Sequence, residues 1–198
     1  MKGKFDTLDY LVEIGNGYLQ TSIVLENGIS KPTLADYVTK RHLERVAHGI
    51  YRSKEAWPDE LYLLQLANSR IVYSHETALF LHGLMEREPT CTSVTVRSGY
   101  NATHLRKSGV KVYQVKPEVA ELGVTNVSTN CGNMVRVYDM ERSICDMLRH
   151  KESMDVQVFQ FAMKEYMASK KKNINNLIIY SKQFKLESLV RTYTEVLL

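Results

Sequence analysis

Apolar positions recur with two different periods, and the change between them divides the chain. Over residues 5–14, Phe5, Leu8, Leu11, Val12 and Ile14 fall at helical spacing, and Gly15-Asn16-Gly17 stops that helix. Tyr18 and Leu19 lead into a second short helix over residues 20–25, ended by Asn27-Gly28. Ser30 then stands where a third helix needs an N-cap, with Pro32 tolerated in its first turn. Leu34 and Val38 mark the inward face of that helix. At about 100° per residue, Thr33, Asp36, Tyr37 and Lys40 point the other way, with Arg41 on the flank. Two short alternating runs, residues 43–46 and 50–52, surround Ala47-His48-Gly49 and predict a hairpin with Arg45, His48 and Arg52 outward. Tyr51 reads equally as core. Three helices followed by a hairpin predict a winged helix-turn-helix over residues 1–56.

The next segment, residues 57–84, reads as a helical connection. Pro58, Asp59 and Glu60 open a helix that buries Leu61, Leu63 and Leu64; Ile71 to Tyr73 are extended, and Ser74 caps the helix HETALFLHG. The period then shortens. Residues 92–97, 110–115, 124–129 and 134–138 are rich in β-branched and aromatic side chains, separated by Gly99, Gly109, Gly123 and Gly132-Asn133. They predict a mostly antiparallel sheet, with a hairpin turn over residues 130–133. Asp139 caps a helix with Met140, Ile144, Met147 and Leu148 on one face. Helices over 154–170, 174–182 and 187–198 follow, the last burying Leu189, Val190, Tyr193 and Leu197. Residues 85–198 are therefore predicted to form an α+β domain, and the chain as a whole is α+β.

Charge changes the picture in one place. Residues 31–54 carry Lys31, Lys40, Arg41, Arg45, Arg52 and Lys54 against Asp36 and Glu44, a surplus of four that equals the formal charge of all 198 residues. A local surplus on a helix and hairpin suits a phosphate backbone, because each neutralised phosphate releases condensed counterions. Charge runs are more often merely solvated faces, so the reading rests on the surplus coinciding with the helix-plus-hairpin. Double-stranded DNA is the predicted partner. Lys31, Thr33, Tyr37, Lys40 and Arg41 are the candidates for reading a major groove, Arg45, His48 and Arg52 for wing contacts, and Lys2 and Lys4 for phosphate contacts from an N-terminal arm.

Other chemistry finds little support. Cys91, Cys131 and Cys145 are odd in number and lack paired spacing, which argues against a disulfide framework or a zinc site. The start MKGKFDTLDY has no apolar leader-like run, and a cytoplasmic protein is expected. His75 and His82 are seven apart on one helix, but no further ligands accompany them, so packed histidines are the plainer reading. Cys145, between Ile144 and Met147, reads as packing. The strands over 94–97 and 111–115 hold no carboxylate for Mg²⁺, and no Gly-Ser with paired aspartates, phosphate loop or Ser/His/Asp order stands out. No enzyme, metal or cofactor is expected.

The segments RVAHGIYR, SHETALFLHGL and YDMERSICDMLR, in that order and spacing, resemble the AbiE-type abortive-infection antitoxins, winged helix-turn-helix regulators of type IV toxin–antitoxin systems. The resemblance implies a head that binds inverted repeats in its own promoter and represses transcription. It also implies a C-terminal domain that counters a nucleotidyltransferase-like toxin without forming a stable complex with it. A dimer or a cooperative pair on DNA would suit inverted repeats. Two other readings stay open: a ligand-responsive transcription regulator without antitoxin activity, and a winged-fold protein-interaction module.

Overall fold

The computed structural model describes residues 3–197, and the architecture is α+β. The chain divides into two units, one running to Ser69 and taking in Thr129–Asn133, the other comprising Arg70–Ser128 and the residues from Met134 onward. The division falls inside the 57–84 segment.

The first unit opens with α1 (Lys4–Ile14), β1 (Tyr18–Gln20), α2 (Thr21–Glu26) and α3 (Lys31–Lys40), then β2 (Glu44–Ala47), β3 (Ile50–Arg52) and α4 (Glu60–Ala67). Tyr18 and Leu19, expected only to lead into a helix, form the extra strand: β1 pairs antiparallel with β3, giving the order β1-β3-β2. Asn16 and Gly17 both adopt positive φ, the left-handed turn that lets the chain leave α1 and enter this sheet. Leu8, Leu11, Leu19, Val24, Ile29, Leu34 and Tyr37 form the core, with Phe5, Val12, Val38, Leu43 and Tyr51 packed around it.

Asp59 caps α4 by accepting the Tyr62 amide at 3.0 Å, as its position predicts. Its other carboxylate oxygen accepts Thr129 Oγ1 at 2.5 Å and Asn133 Nδ2 at 2.7 Å. Leu61, Leu63 and Leu64, expected to be buried, are only half-buried.

The second unit contains β4 (Val72–Tyr73), α5 (His75–Leu81), β5 (Ser93–Arg97), α6 (Thr103–Lys107), β6 (Lys111–Val115), α7 (Pro117–Ala120), β7 (Val124–Ser128), β8 (Met134–Tyr138), α8 (Met140–Arg149), α9 (Val156–Ala168), α10 (Ile174–Phe184) and α11 (Glu187–Leu197). Its sheet runs β6-β5-β4-β8-β7. The expectation of a mostly antiparallel sheet is corrected: β5–β6 and β4–β8 are parallel, β4–β5 and β7–β8 antiparallel. Connection length explains the difference. Residues 98–110, holding α6, are long enough for a crossover between β5 and β6, whereas a tight turn joins β7 to β8 as a hairpin.

Sixteen buried residues, mainly from α5, α8, α9 and α10, form this unit's helical core, among them Leu79, Ile144, Met147, Ala162, Tyr166 and Leu177. Asp139 caps α8 by accepting the Arg142 amide at 2.7 Å, as its position predicts. All residues from Met140 to Leu148 are buried, so α8 is enclosed on every side rather than along one stripe. On α11, Val190 is buried, Tyr193 half-buried and Leu189 exposed, while the Leu197 side chain lies outside the described residues. No helix among the described residues is long and apolar enough to cross a membrane.

Candidate nucleic-acid interface

The segment where cationic charge and the helix-plus-hairpin coincide is built from the first unit's core outward. Leu34 and Tyr37 lie three apart on α3 and Val38 one further, so a single helical face supplies all three to the core. This corrects the orientation expected for Tyr37. The side chain is 2% exposed and its hydroxyl donates to Asp9 Oδ1 at 2.7 Å, so it is not available to a base edge. Its ring also meets Phe5 edge-on, with centroids 5.2 Å apart. Burial, reinforced by the Asp9 carboxylate, pushes the Tyr37 hydroxyl well above the ordinary phenol range.

The remaining candidates divide by what holds them. Lys31 is the first residue of α3, exposed, and has no ion-pair partner among the described residues. Thr33 is half-buried, its hydroxyl 3.0 Å from that of Ser30, which occupies the N-cap position without a side-chain bond to the helix backbone. Lys40 is paired with Asp36 one turn back at 2.9 Å and lies 5.3 Å from the Phe5 ring. Arg41 pairs with the second oxygen of Asp9 at 2.6 Å, and this bond raises its pKa further.

On the hairpin, Arg45 and His48 are exposed, Arg45 Nε donating to the Ala47 carbonyl at 3.4 Å. Arg52 differs from the outward reading: it pairs with Glu44 across the strands at 2.8 Å, and only 18% of its side chain is exposed. The registers explain this, because Glu44 and Arg52 are direct partners in the β2–β3 ladder. Lys4 is exposed but is the first residue of α1, so it belongs to a helix rather than an arm; Lys2 lies outside the described residues.

The carboxylates of Asp36, Glu44 and Asp9 thus engage three of the six cations in the stretch. Lys31, Arg45 and Lys54 keep their charge without an ion-pair partner among the described residues. Asp9 is the residue that sequence reading missed. A carboxylate beside Leu8, one of three on α1, gives no hint of partners 28 and 32 positions on.

No family model matches the chain, and no curated protein does. Among solved structures it is similar in fold to the RV2827C protein of Mycobacterium tuberculosis, with a TM-score of 0.55 at 11% identity over 92% of this chain and 72% of that one. That likeness is one of fold.

Proposed function

We propose that this protein is a DNA-binding autorepressor and antitoxin of the AbiE type. On this reading the first unit is a winged helix-turn-helix in which α3 enters a major groove and the β2–β3 hairpin is the wing. The observation that carries the proposal is the exposed Lys31 at the amino end of α3, without an ion-pair partner among the described residues, in the same unit as a hairpin exposing Arg45 and His48. A cation at a helix start adds to the free backbone N–H groups there, which attract a phosphate. Arg45 and His48 then reach the flanking backbone or the minor groove. Lys40 and Arg41 serve after exchanging their carboxylate partners for phosphate, a swap favoured because both pairs are solvent-exposed and weak. The antitoxin half rests on the resemblance of the three sequence segments to that family.

Binding of the full chain to its own promoter, titrated at several salt concentrations, tests the repressor reading. A salt-dependent, sequence-preferring complex is expected; salt-independent or absent binding excludes it. Co-expression with an adjacent nucleotidyltransferase gene tests the antitoxin reading, which fails if growth is not rescued.

A further inference from the structure

The second unit holds a cleft of about 330 Å³ whose walls come from segments far apart in the sequence. The end of β6 and the residue after it bring Gln114 and Lys116, the end of α8 brings Arg149, and the end of α10 brings Gln183, Phe184 and Lys185. No carboxylate lines it among the described residues. Lys116 and Lys185 are both exposed, and neither has an ion-pair partner among the described residues. Arg149 reaches Asp146 at only 3.6 Å and lies 5.0 Å from the Phe184 ring.

Behind that ring stands a fourth cation. Arg142, wholly buried, places its guanidinium carbon 4.4 Å from Phe184. Its Nε donates to Asp146 at 3.1 Å, while its Nη2 has no hydrogen-bond partner among the described residues. Two arginines therefore share the buried carboxylate of Asp146, Asp139 being a further carboxylate that interacts with Arg142, while the groups that face the cleft are cationic or neutral. Low-dielectric walls of one sign focus their field on whatever enters.

The cleft's place in the sheet points the same way. β5 and β6 run parallel, with Arg97 level with Val115 at their carboxyl ends, and Ser98, Val115 and Lys116 line the cleft. Open parallel α/β sheets bind ligands beyond the carboxyl ends of their strands, and the β5–β6 pair shares that local geometry within a mixed sheet. The volume is at the lower end of the range for small-molecule sites, roughly 300–1,000 Å³, and is several times what a bare oxyanion fills. Two amide side chains and an aromatic ring on the wall give the extra space something to recognise. Gln114 already donates its Nε2 to the Tyr100 carbonyl at 3.2 Å, leaving its oxygen as an acceptor.

We propose that this cleft binds a nucleoside phosphate. Lys116, Arg149 and Lys185 take the phosphate oxygens, and Gln114 and Gln183 meet the edge of the base. The site is separate from the DNA-binding surface proposed above and stands or falls without it.

Isothermal titration of the full chain at low salt, using the four ribonucleoside triphosphates and their monophosphates, tests the site, with inorganic phosphate and pyrophosphate as controls. At least one nucleoside phosphate is expected to bind with one-to-one stoichiometry, and inorganic phosphate at least about tenfold more weakly. Lys116→Gln and Lys185→Gln, both exposed and so compatible with folding, should each weaken binding roughly tenfold, and the double variant more. Unchanged thermal unfolding of the variants shows that the loss is local. The proposal is overturned by absence of binding, by unchanged affinity in the double variant, or by inorganic phosphate binding as tightly as the best nucleoside phosphate.

Discussion

The Tyr37 hydroxyl donates to Asp9 across the α1–α3 contact at 2.7 Å, so a side chain expected on the outer face of α3 fastens the helix instead. The same carboxylate receives Arg41, which ties the last turn of α3 at two points. Tyr37 thus anchors the helix that begins at Lys31, and its buried hydroxyl is not open to a base edge. Removing only its hydroxyl separates the two roles. Tyr37→Phe is expected to lower stability by roughly 1–2 kcal/mol, the worth of a partly buried hydrogen bond to a carboxylate. Urea denaturation measures that loss. The salt slope of promoter binding should stay that of the wild type, and a flattened slope would place Tyr37 on the phosphate after all.

Lys31 and Arg45 should behave in the opposite way. Each is exposed and lacks an ion-pair partner among the described residues, so alanine there removes no structural contact of consequence. Each substitution is expected to leave the unfolding midpoint in place and to reduce the slope of log affinity against log salt by about 1. Lys40→Ala should have a smaller effect, because Asp36 competes with phosphate for that ammonium. Equal slopes for all three variants and the wild type would remove this face from the DNA-binding account.

The elements of the first unit were legible because Leu8, Leu11, Leu34 and the Gly15, Gly28 and Gly49 breaks mark periods and ends directly. Tyr37 was read outward although it stands three positions after Leu34 on the same side of α3, because a tyrosine suits either face and its partner Asp9 lies on another helix. The parallel pairing of β5 and β6 was hidden for a different reason: strand composition does not encode direction, and the crossover helix α6 is only five residues long. The basic cleft is the extreme case. Lys116, Arg149 and Lys185 are separated by more than thirty residues at each step, so no local pattern brings them together.

His75 makes the second unit sensitive to acid. It is buried at positive φ, stacked on Tyr113 with ring centroids 3.4 Å apart, its Nδ1 3.0 Å from Ser74 Oγ and its Nε2 3.2 Å from His150 Nδ1. Burial above all, then His150, Lys111, Arg142 and Arg149, lowers its pKa from 6.5 to about 2. Asp146 and Glu76 are the nearby carboxylates, each already engaged by a cation. The folded chain then refuses a proton that the unfolded chain accepts. This contribution to stability is complete above pH 6.5 and is lost progressively as pH falls from there towards 2. Comparing urea midpoints at about pH 7.5 and about pH 5.5 for the wild type and His75→Asn isolates it, asparagine being a residue that tolerates the left-handed backbone. The variant should be less stable at the higher pH but lose less on acidification. An identical acid loss in both proteins would clear His75.

Arg142 offers the sharpest test of how the second unit is held. Its Nη1 donates to the Val119 and Leu122 carbonyls at 2.8 and 3.0 Å, its Nε to Asp146, and its guanidinium carbon lies 4.2 Å from the Tyr138 ring centroid. Arg142→Met keeps most of the volume but strands a buried carboxylate, which Arg149 meets only at 3.6 Å; a loss of roughly 3–5 kcal/mol is expected. Gly123→Ala stresses the same place from outside. With φ at +78° a side chain is already strained, and its Cβ would sit 2.8 Å from Arg142 Cβ and 3.0 Å from Asp139 Oδ1. Replacing both charges together, as Arg142→Met with Asp146→Leu, distinguishes the causes. If the stranded carboxylate dominates, the double variant recovers much of the stability that Arg142→Met loses, since a buried pair removed whole is often close to neutral. If it recovers none, the two carbonyls that Arg142 satisfies are what matter, and its guanidinium acts as a cross-brace between α8 and the residues around α7.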